Sequence, residues 1–195
     1  MVQSTDLRRN VLCYVTATDL PVTFDLESGY GDAPEALGDA ISMVINAGAV
    51  GCNLEDSFPA NGELRETLAQ VNRIRRARET ADSSNIRFFI NARTDVFFQR
   101  AVEQHDDAMV VEAIERSEAY AKAGADGLFA PGLTDIALVA RLAEASPLPL
   151  NIMVGDGTPS LSTLAEHGVA RVSYGPRPYL VMMKALQEAA SVSGT

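Results

Sequence analysis

Short apolar runs alternate along the chain with longer stretches in which apolar residues recur every three or four positions. Apolar positions of period two suit a strand and those of period 3.6 suit a helix with one buried stripe, so the alternation predicts βα units and a parallel sheet. The strand candidates are PVTFDLE (21–27), AVGCNLED (49–56), RFFINARTD (87–95), DGLFAPG (126–132), LPLNIMVG (148–155) and ARVSYGP (170–176). The helices between them carry start and stop signals. Asp32 is an N-cap candidate, with Pro34 in the first turn and Glu35 three residues after the cap. Gly48, Gly124 and Gly168 stand where a left-handed residue ends a helix before the next strand.

Residues two apart on a strand share a face. In the first run Val22, Phe24 and Leu26 oppose Thr23, Asp25 and Glu27; in the second Val50, Cys52 and Leu54 oppose Gly51, Asn53 and Glu55; in the third Phe88 and Ile90 oppose Phe89, Asn91 and Arg93. A parallel strand buried on both faces is apolar throughout, so a polar face that strengthens toward the C-terminal end needs a cause. A (β/α) barrel of the TIM type supplies it: apolar faces meet the helices, and polar residues at the strand ends converge on the mouth. One domain over residues 1–195 is expected, with a helix in 1–20, six βα units in 21–176, and a C-terminal helix and tail in 177–195.

Charge narrows the partners. With 16 Lys and Arg against 26 Asp and Glu, the formal net charge is -10, which excludes a nucleic-acid backbone or an anionic membrane surface as the expected partner. Two cysteines without paired spacing support neither a disulfide framework nor a zinc site. No apolar run approaches the roughly 20 residues of a membrane span, and MVQSTDLRRN is followed by no signal-peptide core. The expectation is a soluble cytoplasmic protein.

Asp25, Glu27 and Glu55 fall at neighbouring strand ends, and carboxylates crowded in a cleft require positive compensation. With no thiolate or imidazole beside them, they suit a hard cation, Mg²⁺ or Mn²⁺, holding few protein ligands and several waters. Arg93, at the same sheet end, suits a substrate carboxylate or a developing negative charge. The competing reading is a buried ion-pair network without catalysis.

TFDLESGYGD, AGAVGCNLED, FFINARTDVF, AGADGLFAPG, PLNIMV and GVARVSYGP, in this order, resemble the isocitrate lyase/phosphoenolpyruvate mutase superfamily, and most of all its short mutase-like bacterial members. The likeness runs from about Val15 to the last helix. It implies an α/β barrel that binds Mg²⁺ and a small 2-oxo or hydroxy carboxylate and makes or breaks a C–C or C–P bond through an enolate-like intermediate. By the same resemblance Asp25 is the direct metal ligand, Glu27 and Glu55 hold the metal's waters, and Arg93 and Glu55 are catalytic. Arg93, Asn91, Asn151 and Gly29 contact substrate, Gly29 and Gly31 let the backbone turn tightly, and the protein is a homo-oligomer, a dimer or tetramer.

There are departures from the family pattern. No Lys-Lys-Cys-Gly-His loop is present, which argues against isocitrate as substrate, and DSFPANGEL after Glu55 holds no lysine of the kind that mutases use. The family barrel has eight strands, two of which would precede Met1. The expectation is therefore an incomplete barrel of about six strands that self-associates, and the alternative to an enzyme is a truncated, non-catalytic remnant that keeps the fold. Val11, Leu12, Tyr14 and Val15 are expected to pack as a helix against the first run.

Several residues receive plain readings. His105 in EQHDD reads as solvated, His167 as a helix-end contact, the arginines of RIRRARE (Arg73, Arg75, Arg76, Arg78) as an exposed face, and Cys52 as core. MVGDGTPS and SYGPRPY are weak candidates for cradling a phosphate at the barrel top.

Overall fold

Each of the six apolar runs forms a strand. The computed structural model describes residues 4–31, 33–155 and 157–192. Helix α1 (Ser4–Thr16) precedes β1 (Thr23–Asp25); the unit then repeats as α2 (Pro34–Asn46), β2 (Gly51–Glu55), α3 (Thr67–Ser83), β3 (Phe89–Arg93), α4 (Asp107–Ala123), β4 (Gly127–Ala130), α5 (Ile136–Ala145), β5 (Leu150–Met153), α6 (Leu161–Glu166), β6 (Val169–Ser173) and α7 (Arg177–Val192). Two 3-10 turns, Val96–Phe98 and Val102–Gln104, lie between β3 and α4.

The strands are parallel and paired in chain order from β1 to β6. In a flat sheet the outer two would lie roughly 24 Å apart, at about 4.8 Å per step. Arg171 Nη2 on β6 nevertheless comes within 3.4 Å of Thr23 Oγ1 on β1, so the sheet is curled into a half-barrel with its polar face inward. One inward row runs Asp25, Asn53, Asn91, Gly127; the next runs Glu55, Arg93, Phe129, Asn151, Arg171.

On the outer face Cys52, Leu54, Ile90, Ala92, Leu128, Ala130 and Ile152 are fully buried against the helices. The helices answer with apolar residues at three- and four-residue spacing: Leu37, Ile41 and Val44 on α2, Ile74, Ala77 and Ala81 on α3, Val139 and Leu142 on α5. Each fully buried Leu or Ile contributes about 1.5–3 kcal/mol, which makes this outer layer the source of the fold's stability. Asp106, Asp135 and Ser160 cap α4, α5 and α6 through side-chain acceptors. Gly48, Gly124 and Gly168 have φ of 95°, 101° and 85°, the left-handed turn that swings each helix back toward the sheet.

The structure departs from the sequence expectations in particular places. The buried side of α1 is Leu7 and Val11, with Val15 half-buried against the core; Leu12 and Tyr14 point to solvent, because the four-residue spacing of the first three selects the other face. The first strand ends at Asp25, since Glu27 leaves the extended region at φ 50°. At α2 the cap position is Ala33 with no side-chain bond, and Asp32 lies outside the described residues. His105 is half-buried, not solvated: its Nε2 lies 2.9 Å from the Phe97 carbonyl and its ring meets that of Phe97 edge-on. Arg73 is buried, so the arginine run is not a uniformly exposed face. Helix α7 leaves Tyr179, Leu180, Val181, Met182 and Leu186 more than half exposed. Among the described residues, no helix is long and apolar enough to cross a membrane.

Candidate active site

The C-terminal ends of β1, β2 and β3 are tied together by hydrogen bonds of their turns, the Arg93 carbonyl accepting the Asp56 N–H at 3.1 Å. Asp25 Oδ1 accepts the Glu27 N–H at 3.0 Å, and the Glu27 carbonyl accepts the Glu55 N–H at 2.9 Å. Glu27 and Tyr30 hold left-handed φ of 50° and 57°, a conformation uncommon outside glycine. Buried Arg73 from α3 fixes this turn by donating to the carbonyls of Ser28 and, at 3.2 Å, of Gly31. Gly29, at φ 83°, packs toward the helices: a Cβ there would sit 2.7 Å from Leu37 Cδ1 and 3.1 Å from Arg73 Nη2. The glycine therefore permits the turn from the side away from the mouth.

Arg93 and Glu55 are neighbours in register and form an ion pair, Nη1 to Oε2 at 2.7 Å. Asp95, two residues past Arg93, accepts from its Nε at 2.7 Å and its Nη2 at 3.1 Å. Burial pushes the Glu55 carboxyl up to about 7; Arg93 opposes this, while Asp95, Asp25 and Glu27 reinforce it. For Arg93, desolvation is outweighed by Asp95 and Glu55, which hold its pKa above the ordinary value. Burial first, then Glu27 and Asp25, raises the Tyr30 phenol. The candidate carboxylates thus share one electrostatic neighbourhood.

A second set of acids supports the first. Asp56 is fully buried and accepts from the Asp95 N–H and the Tyr120 hydroxyl, both at 2.8 Å, and from Arg116 Nη1 at 3.3 Å. Desolvation raises its pKa despite these donors. Ser57 Oγ donates to Asp95 Oδ2 at 2.6 Å. Sequence reasoning singles out none of Asp56, Ser57 and Asp95, because they lie in turns beyond the strand ends where period two no longer sorts faces. The one available signal is an acid placed two residues after an inward arginine.

A cavity of about 600 Å³ opens above these strand ends, lined by the polar residues Asp25, Asn53 and Arg93 and by Phe98, Phe129, Pro131, Met153 and Tyr174. Asn91 and Asn151 lie in a separate cavity of about 360 Å³ with Thr23, Phe89 and Arg171. Their amides are engaged there, Asn91 Nδ2 with Asn53 Oδ1 at 2.9 Å and Asn151 Nδ2 with Ser173 Oγ at 3.0 Å. The structure therefore brings Asp25, Glu27, Glu55 and Arg93 to one end of the sheet and sets Asn91, Asn151 and Gly29 off the walls of the mouth.

Among the described residues no three His, Cys, Asp or Glu side chains converge to enclose a cation. Magnesium does not need such a cage: it takes one or two carboxylates and keeps several waters. Asp25, on the cavity wall, and Glu27 are exposed, and with Glu55 at the neighbouring strand end they offer oxygen donors alone. This donor chemistry fits a hard divalent ion.

The profile of the family described as phosphoenolpyruvate phosphomutase matches residues 2–192. The crystal structure of a provisionally assigned phosphonomutase from Burkholderia cenocepacia superposes with a TM-score of 0.95 at 52% identity, covering 98% of this chain and 76% of that one. The 2-methylisocitrate lyase of Escherichia coli is 31% identical over 96% of this chain and 62% of its own length. An oxaloacetate decarboxylase of Pseudomonas savastanoi is 31% identical over 85% of this chain and 56% of its own. The chain thus spans about three fifths of the length of the curated relatives that it matches.

Proposed function

The chain belongs to the phosphoenolpyruvate phosphomutase family, whose members are lyases and mutases, and from that premise we propose that it carries the site of a Mg²⁺-dependent lyase cleaving a C–C bond beside the carbonyl of a small 2-oxo or hydroxy carboxylate. The observation that carries this reading is Arg93, held between Glu55 and Asp95 at the cavity's charged wall, within the same strand-end cluster as Asp25.

Cleavage leaves an electron pair on carbon that delocalises onto the former carbonyl oxygen as an enolate. Arg93 N–H groups aimed at that oxygen stabilise the charge as it develops, and such donors are effective because they are already oriented. Asp25, Glu27 and Glu55 would hold the Mg²⁺, which supplies Lewis-acid polarisation of the carbonyl. The apolar part of the wall, Phe98, Phe129, Pro131 and Met153, suits an alkyl or acyl fragment. That wall is poor company for a phosphoryl dianion, which favours C–C over C–P cleavage.

The test is pyruvate release from oxaloacetate by the purified chain with Mg²⁺. Arg93→Ala is expected to lower the rate about 100-fold or more, the usual consequence of removing one oriented donor. An unchanged rate in that variant, or in the parent after EDTA treatment, would overturn the proposal.

A further inference from the structure

An arginine at the end of a strand has many rotamers, so something must choose the one that serves the cavity. Asp95 takes the side edge of the Arg93 guanidinium with both oxygens, Oδ1 on Nε at 2.7 Å and Oδ2 on Nη2 at 3.1 Å. Glu55 takes Nη1 at 2.7 Å. A guanidinium has five N–H groups; the hydrogen bonds to Asp95 engage one on Nε and one on Nη2, and Glu55 stands beside Nη1 as an ion-pair partner. The Phe98 ring lies under the group, 5.7 Å from Cζ to ring centre.

Asp95 is itself held. Ser57 Oγ donates to its Oδ2 at 2.6 Å, its own N–H donates to Asp56 Oδ1 at 2.8 Å, and the residue is 4% exposed. Asp56 is anchored in turn on Tyr120 and Arg116 of α4. Orientation thus passes from the buried face of α4 through two acids to the cavity wall.

We propose that Asp95 is a positioning residue: it grips the side of Arg93 so that the end of the fork faces the mouth and receives an oxyanion. This rests on the reading of Arg93 as the substrate arginine. The local charge supports a directional role. Glu55 and Asp95 together outweigh the single positive charge of Arg93, so an anion recruited here responds to the aim of the donors more than to net charge.

Two measurements test it. The probe for the first is oxalate with Mg²⁺, a planar anion with the oxygen spacing of a 2-oxo acid enolate, followed by titration calorimetry. Asp95→Asn, which keeps the shape and loses the two-point grip, is expected to weaken oxalate about 10-fold, as for other supporting partners of a site. In an Arg93→Ala background the same change is expected to have no effect. Unchanged affinity in Asp95→Asn, or the same loss in both backgrounds, would overturn the proposal.

The second measurement needs no ligand: solvent exchange of the Arg93 Nε–H, read by ¹⁵N NMR, is expected to accelerate about 10-fold or more in Asp95→Asn, and unchanged exchange would overturn the grip. Ser57→Ala, which removes one donor to Asp95, is expected to move exchange in the same direction by a smaller factor, and it serves if Asp95→Asn does not fold. A parent that fails to bind oxalate would remove the function proposed above, while the exchange measurement would still decide whether Asp95 holds Arg93.

Discussion

Replacing Asp56 by alanine removes three acceptor contacts from a fully buried position. The Tyr120 hydroxyl and the Asp95 amide each lose a partner, and an unsatisfied buried donor costs about 1–3 kcal/mol. Arg116 loses its buried counter-charge, and breaking such a pair costs about 3–5 kcal/mol. These contributions overlap. Arg116 keeps the Arg65 carbonyl at 3.0 Å and half-exposed Glu112 at 3.0 Å, so part of its charge stays compensated. The net expectation is a loss of about 4 kcal/mol for Asp56→Ala and about 2 kcal/mol for Asp56→Asn, which retains one oxygen. Urea unfolding followed by far-UV circular dichroism is the assay, the chain having no tryptophan. At an m-value of about 2–3 kcal/mol/M, Asp56→Ala shifts the midpoint down by roughly 1.3–2 M. Combined with Tyr120→Phe, it should show a coupling of about 1–2 kcal/mol. A loss under about 1.5 kcal/mol, or full additivity with Tyr120→Phe, would refute the view that this buried acid fastens β2, β3 and α4 together.

Two further outcomes follow from the site and the core. Asp25→Ala is expected to abolish the Mg²⁺ or Mn²⁺ heat that the parent shows in titration calorimetry, and equal binding by the variant would place the ion elsewhere. With a thiol reagent the native protein is expected to react at Cys13, which is exposed, at once, and at Cys52 only after unfolding. Cys52 is fully buried, and burial followed by the nearby Asp25 charge raises its thiol pKa, so rapid reaction of both would contradict its place in the core.

Periodicity made the scaffold legible because strand faces obey it. Each apolar run became a strand, the alternate residues turned inward as read, and Asp25, Glu55 and Arg93 emerged at one sheet end. Where local pattern misled, the cause was a partner far along the chain. Arg73 sits among arginines that look like a wet helix face, yet the carbonyls it serves at Ser28 and Gly31 are 45 and 42 residues away. His105 is the exception, drawn in by Phe97 only 8 residues earlier across the Val102–Gln104 3-10 turn. The Asp56 network spans separations of 39, 60 and 64 residues, so no window along the sequence contains it.

The cavity has two walls of different ancestry in the fold, and this sets how the protein can diversify. Its charged wall is woven into the buried interior through Asp95, Asp56 and α4, so changes there propagate into folding itself. Its apolar wall comes from separate loops and strand ends, at Phe98, Pro131, Met153 and Tyr174. Pro131, Met153 and Tyr174 take no part in the hydrogen bonds that hold Arg93, whereas Phe98 lies against its guanidinium. A lineage built on this plan can reshape its cavity by drift at those three positions while inheriting its ionic network unchanged, so descendants would differ in what fits sooner than in how it is held.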